Sequence, residues 1–352
     1  MTLYNKVKKH ILTAAKQYKV KPYDVTSAQF WSICEDVKEW QIRKVGGFTG
    51  IRDTLYPSEA ASSLQPRVKP KAFKKQAKKP LTNFEVHDVS IKELFKQLKL
   101  KDDQVLRVVV QPDTHAPEHD ERAVGVFCKF LEYYKPHGII NIGDFLEMES
   151  VSHWENGILK PRRLVPEIKE AKALLEKIGK AAGPQCILKR YITGNHEDWL
   201  QQYLTAKIPE VFDGLDEIGT SLKFDSLLGL KDLGYKVIPL NEILKLGEAH
   251  FIHGFYTGMA HAKKHLDVFN CNIYYGHLHD VQSYSGVSVS GVHEAMSLGC
   301  LRTLNAPFLK GKPNNWAHAF GVFEFRADGS YTRYVPVIID GVFSFNGKVF
   351  KA

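Results

Sequence analysis

The chain sets metal-competent side chains at five points along its middle: Asp113 and His115 in P-D-T-H, Asp144 in G-D-F, Asn195 and His196 in G-N-H-E, His253 in I-H-G, and His277 and His279 in G-H-L-H. Imidazole mixed with carboxylate and amide oxygen suits borderline first-row cations such as Mn²⁺, Fe or Zn²⁺ better than Ca²⁺. Taken singly, each residue has an ordinary explanation. Asp-x-His is commonly a turn with a capping Asp, Gly-Asp a strand-to-loop transition, G-N-H-E a helix start with an acidic first turn, and His253 a satisfied core histidine.

The elements around them change that weighting. Short β-branched runs at 105–111, 138–143, 185–192, 249–253 and 272–277 read as strands, and helical patterns lie between most of them, notably at 120–135 and 163–181. Strands alternating with helices give an α/β class. Ligands in such sheets bind just outside the carboxyl ends of the strands. Each of these strands delivers Asp, Asn or His at that end, and such a coincidence is hard to assign to chance.

The order D-x-H, G-D, G-N-H-E, H-G, G-H-x-H over about residues 105–285 resembles that of the calcineurin-like metallophosphoesterases. The stretches H-G-F-Y-T-G-M-A-H-A-K-K-H-L, G-H-L-H-D and N-N-W-A-H-A-F-G-V-F-E-F are most similar to members carried by bacteriophages and prophages. The resemblance implies a two-sheet αββα sandwich with two divalent metals at the sheet edge, Mn most readily, with Fe, Zn, Ni or Mg as alternatives. One metal would take Asp113, His115 and His279, the other Asn195, His253 and His277, and Asp144 would bridge them. A hydroxide bridging the metals would attack in line while His196 assists the leaving oxygen. The last strands, about 318–327, 331–339 and 342–350, would complete the second sheet.

Glu147, three residues after Asp144, sits where related protein phosphatases place an Asp, and is expected to orient His196. Those phosphatases continue the second motif as G-D-x-x-D-R-G, whereas this chain reads G-D-F-L-E-M-E-S, with Met148 at the Arg position. A monoester has two charges to hold and a diester one, so losing that Arg favours a diester. His119, His153, Trp154, Arg162, Arg163 and His261 are candidates for touching substrate, Trp154 by stacking on a base.

Charge separates the N-terminal quarter from the rest. Residues 1–80 carry 17 Lys+Arg against 6 Asp+Glu, and the remainder 31 against 33, so the whole excess of +9 lies in that quarter. Leu3, Val7, Ile11 and Ala15 recur at helical spacing. After the capping candidates Thr26 and Ser27, so do Phe30, Ile33, Val37 and Trp40, and F-T-G-I-R-D-T-L-Y-P supplies a third helical piece. The expected organisation is a basic helical domain at 1–57 with a helix-turn-helix-like character, a Pro/Lys-rich linker at 58–84, and a catalytic domain at 85–352. Such a domain suits contact with nucleic acid, DNA above all, with Arg43 and Lys44 near the turn. The competing reading is a solvated charged face that docks elsewhere on the protein.

The N-terminus lacks an apolar signal segment and no run reaches membrane-spanning length, so a cytoplasmic protein is expected, in the host cytoplasm if phage-encoded. Five scattered cysteines with no C-x-x-C exclude a disulfide framework or thiolate zinc site. The expected function is therefore a dinuclear metal-dependent phosphodiesterase cutting or nicking nucleic acid. A phosphomonoesterase acting on protein, nucleotide or nucleic-acid ends is one alternative. A DNA-binding protein with a vestigial metal site is another, and the weakest, since a decayed site would have lost ligands.

Overall fold

In the computed structural model the described residues are 3–34, 37, 42, 47–56, 84–152, 164–212, 216–289 and 291–352. The chain divides into two compact units, Met1–Thr82 and Asn83–Ala352.

In the first unit, α1 (Leu3–Tyr18) buries Val7, Ile11, Ala14 and Ala15 on one stripe. Those residues pack with Phe30 of α2 (Ser27–Trp31) and with Phe48 and Ile51 of α3 (Gly47–Leu55). Thr26 starts α2 through a reciprocal capping box with Gln29. The second helix was expected to run on to Trp40, but α2 ends at Trp31, and Trp40, Arg43, Lys44 and the linker at 58–83 lie outside the described residues. Lys8, Lys9, Lys16, Lys19 and Lys21 are exposed.

The second unit is a sandwich. In chain order it runs β1 (Val86–Val89), α4 (Ile91–Leu98), β2 (Leu106–Gln111), α5 (Glu121–Tyr134), β3 (Gly138–Asn141), α6 (Leu164–Ala182), β4 (Leu188–Ile192) and α7 (Asn195–Lys207). Three short helices follow, then β5 (Lys236–Ile238), β6 (Ile243–Leu246), β7 (Ala249–Ile252), α11 (His261–Phe269), β8 (Ile273–Tyr275), β9 (Ser283–Ser288) and β10 (Gly291–Ser297). It ends with β11 (Gly321–Phe325), β12 (Tyr331–Tyr334), β13 (Val342–Phe345) and β14 (Lys348–Lys351).

One sheet has the order β12-β11-β2-β3-β4-β5 and the other β1-β6-β7-β8-β10-β9. Side chains alternate across β2 with period two. Val108 and Val110 enter the core between the sheets, with Ile140, Ile192, Phe251 and Tyr274, while Val109 faces the opposite core with α5 and α6. Leu266 and Phe269 of α11 cover the outer face of the other sheet. The layers are helix, sheet, sheet, helix.

The last strands depart from expectation. β11 and β12 do not complete the second sheet; β11 pairs antiparallel with β2, Gly321 opposite Val110. The run at 342–350 is not one strand but the hairpin β13–β14, whose Phe343, Phe345 and Phe350 pack on Phe130 of α5. No helix among the described residues is long and apolar enough to cross a membrane, and all five cysteines are free.

Candidate metal centre

Parallel strands β2, β3 and β4 end side by side, so the residues after them meet at one edge, and the ends of β7 and β8 reach the same edge from the facing sheet. Close backbone approach makes this convergence possible. A Cβ at Gly194 would lie 2.2 Å from Asp144 Oδ1, and one at Gly276 would lie 2.0 Å from Asp113 Oδ1. Neither glycine can be replaced without moving a donor.

Four donor-bearing residues themselves adopt the left-handed backbone: His115 (φ 52°), Asp144 (47°), His277 (71°) and His279 (63°). This costs of order 1 kcal/mol at each and persists only where the surroundings fix it. Those surroundings are visible. Asp113 accepts from the His277 N–H with both oxygens, at 3.0 and 2.8 Å, and Asp144 Oδ1 accepts from the His196 N–H at 2.9 Å in the first turn of α7. Buried Glu197 accepts from the N–H groups of Gly194, Asp144 and Leu146 and from the Tyr191 hydroxyl, tying the G-N-H-E turn to the G-D turn.

The donor atoms then group. His279 Nε2 lies 3.0 Å from His115 Nε2 and 3.2 Å from Asp113 Oδ2. His253 Nε2 lies 3.0 Å from Asn195 Oδ1 and 3.2 Å from Asp144 Oδ2. Asp144 Oδ2 is also 3.9 Å from His115 Nε2, which sets it between the groups. Donors bound to one cation at about 2.0–2.2 Å sit roughly 3 Å apart, so both groups fit divalent ions. His277 Nδ1 is a buried nitrogen without a hydrogen-bond partner, and Asp144, His253 and His277 form a cluster of metal-ligand type.

Outer partners fix the imidazoles. His253 Nδ1–H donates to the Ile142 carbonyl at 2.9 Å, and His115 Nδ1–H donates to Glu147 Oε2 at 2.8 Å, leaving each Nε2 for the cluster. Burial, then the charge of Arg302, holds the His115 pKa well below the usual histidine value. Burial, then His253, brings His277 down to about 4. Both rings are thus neutral, as a ligand requires. Burial opposes a charge on His253, but Asp144 outweighs it and raises that ring to about 10, so a cation there would displace a proton.

Glu147 does not orient His196 through its carboxylate. The Glu147 N–H donates to the Ala116 carbonyl at 3.0 Å, anchoring this residue beside His115. Its carboxylate consequently takes His115 and a two-pronged bond from Arg302 at 2.7 and 2.8 Å. The Glu147 main-chain carbonyl instead accepts from His196 Nδ1–H. His196 Nε2 is 3.8 Å from Asp144 Oδ2, and the ring lies against Trp199 with centroids 3.9 Å apart and planes tilted by 32°. Burial raises the Glu147 pKa against the pull of Arg302.

A cleft of about 380 Å³ opens over these residues, lined by His115, Asp144, Asn195, His196, His277 and His279 and by Glu147, Trp199, Arg302 and Phe308. Arg302, Phe308, Trp199 and Glu197 were not singled out in the sequence. Arg302 follows β10, a strand without a β-branched run, and only that strand's end would have pointed to it. Buried Met148 stands at the position of the phosphatase Arg, while Arg302 on the cleft wall gives one N–H from each terminal nitrogen to Glu147.

Two substrate candidates lie elsewhere. His119 does not line the cleft and faces Glu121 at 3.3 Å. His261 is buried between the Tyr275 hydroxyl (2.8 Å) and Asp280 (3.0 Å) beneath the G-H-L-H loop. His153, Trp154, Arg162 and Arg163 lie outside the described residues.

No family model matches the chain. It is 27% identical over 264 residues to the Gene 54 protein of Mycobacterium phage D29, covering 70% of this chain and 98% of that protein. The Gene 54 protein of Mycobacterium phage L5 is 26% identical over 270 residues, with 70% and 98% covered. Among solved structures, Vacuolar Protein Sorting 29 from Cryptosporidium parvum is similar at 12% identity and a TM-score of 0.39, covering 71% of this chain and 100% of that one. The phosphoesterase Yfce from E. coli is similar at 13% identity and a TM-score of 0.30, covering 65% and 98%. Scores this low leave the fold to be read from the layers and strand orders themselves. In those layers, and in the donors at its strand ends, the chain resembles the calcineurin-like metallophosphoesterases, and in sequence it is similar to phage-borne proteins.

Proposed function

We propose that the chain is a metal-dependent phosphodiesterase that hydrolyses nucleic acid at the cleft edge of the sandwich. The observation that carries this reading is the meeting of His115, Asp144, Asn195, His277 and His279 with His196 on a single cleft, with buried Asp113 and His253 bonded to them from behind. Asp113, His115 and His279 would hold one cation and Asn195, His253 and His277 a second, with Asp144 within reach of both groups. Such a pair, when bound, would neutralise phosphate charge and supply a water-derived nucleophile at neutral pH, with Mn²⁺ the first candidate and Fe or Zn²⁺ also suited to this mixed donor set.

The chain's own residues do the rest. His196 has its Nδ1–H committed to the Glu147 carbonyl, which leaves Nε2 for the cleft; in the doubly protonated ring the Nε2–H proton passes to the departing alkoxide as its bond to phosphorus breaks, leaving a neutral imidazole. Trp199 packs against the ring and limits its rotation. Glu147 holds His115 in the tautomer that presents Nε2. A diester is favoured because Met148 stands where the phosphatases that this chain resembles carry the Arg that clamps a dianion.

The exposed lysines of α1 support nucleic acid as the polymer that the first unit holds, by phosphate contact. Full-length protein with Mn²⁺ is expected to nick or linearise supercoiled plasmid, and His196→Ala is not. An intact plasmid with turnover of p-nitrophenyl phosphate would replace this reading with a phosphomonoesterase. Deleting residues 1–80 should abolish salt-sensitive DNA binding; binding that survives the deletion would remove the first unit from substrate capture.

A further inference from the structure

The cleft has a rim that the metal-facing residues do not explain. After Arg302 the chain runs through a short turn at Pro307–Leu309, and there Phe308 lines the cleft while remaining 50% exposed. Among the described residues it is the only exposed large apolar side chain lining this cleft. A single exposed Phe is unremarkable on a protein surface. The way this one is held is less ordinary.

The Arg302 guanidinium lies 5.0 Å from the Phe308 ring centre and 5.9 Å from that of Trp316. Arg302 is in turn fixed by its two bonds to buried Glu147. Trp316 meets Phe308 at 6.0 Å and 60°, and meets His279 edge-on at 4.4 Å. The ring is therefore backed by an immobilised cation and steadied by an indole, and the rest of its surface is open at the cleft mouth. A surface so ordered in advance loses little entropy when a flat partner stacks on it. Exposed Lys310 and Lys312 follow within four residues.

A ring beside a phosphoester cleft with lysines just beyond it matches one chemistry, a nucleobase attached to a charged backbone. Inorganic phosphate would not use the ring, and an apolar peptide would not use the lysines. We propose that Phe308 is the stacking platform for the nucleobase next to the scissile phosphate, with Lys310 and Lys312 beside the neighbouring phosphates. A base in a duplex has both faces covered, so the strand at the cleft is single-stranded or locally unpaired nucleic acid. This rests on the phosphodiesterase reading above and narrows it.

The test uses the full chain and two readouts. With Mn²⁺, wild type should prefer thymidine 5′-(4-nitrophenyl phosphate) over methyl 4-nitrophenyl phosphate by about 5- to 150-fold in kcat/KM. Phe308→Ala should erase that preference, chiefly through KM, and Phe308→Trp should retain it. A wild type without preference, or a preference untouched by Phe308→Ala, overturns the platform. The second readout needs no turnover: a 2-aminopurine trinucleotide should lose fluorescence on binding wild type and keep it with Phe308→Ala. Quenching with hydrolysis of neither ester would sustain the platform and sink the phosphodiesterase reading. Hydrolysis of both esters with neither preference nor quenching would do the reverse.

Discussion

The floor and the rim of the cleft are built by different means. On the floor, donors leave strand ends in left-handed turns and are held by buried backbone N–H bonds accepted by Asp113, Asp144 and Glu197. On the rim, Phe308 and Trp316 are held by ring packing against Arg302, and Phe308 stays half exposed. The floor spends backbone strain to fix atoms within a few tenths of an ångström, as cation binding demands. The rim needs only a flat surface in about the right place. Glu147 joins the two, with His115 on one side and Arg302 on the other.

The largest effect is expected at the floor. His196→Ala should lower kcat by about 10²- to 10⁴-fold while leaving bound Mn²⁺ unchanged, measured by single-turnover hydrolysis beside metal analysis. Loss of metal in this variant would place His196 among the ligands and blur its separate role. Glu147→Gln tests the join. It leaves a buried guanidinium without its carboxylate and weakens the hold on His115, so Mn²⁺ affinity should fall about 10- to 100-fold, read by isothermal titration. The same variant should lose roughly 3 kcal/mol of stability in urea. Unchanged metal affinity with lowered stability would confine Glu147 to the rim.

The smallest effect lies outside both regions. His137 Nδ1 accepts from the Arg107 N–H at 3.1 Å, and His265 Nε2 accepts from the Phe255 N–H at 3.1 Å, so both rings are neutral in the fold. Burial brings each down to about 4. A pKa depressed by folding contributes stability that is present above the unfolded value near 6.5 and is lost as pH falls toward 4. Stability in urea should therefore drop between pH 6.5 and 4, by less than the loss expected for Glu147→Gln. His137→Asn should flatten part of that slope, and a slope it leaves unaltered would exclude His137.

The floor was legible because Asp, Asn and His have little structural reason to recur at successive strand ends. Their chemistry is carried by residue type alone. The rim was not legible, because Phe308 and Arg302 gain their meaning from contacts between segments far apart in sequence. Glu147 shows the boundary: its resemblance to the Asp that related phosphatases place there pointed to His196, but with its N–H paired to Ala116 its carboxylate goes to His115. The final strands misled for a related reason. Order along the chain suggested the second sheet, whereas the register of Gly321–Phe325 against Leu106–Val110 sets β11 beside β2.

The most direct measurement is equilibrium dialysis of the full chain against Mn²⁺, wild type beside Asp144→Asn. If the strand-end cluster is a dinuclear centre, wild type should retain about two equivalents and the variant, without its bridging carboxylate, at most about one. Wild type that binds no Mn²⁺, or a variant that binds as many equivalents as wild type, would contradict the account.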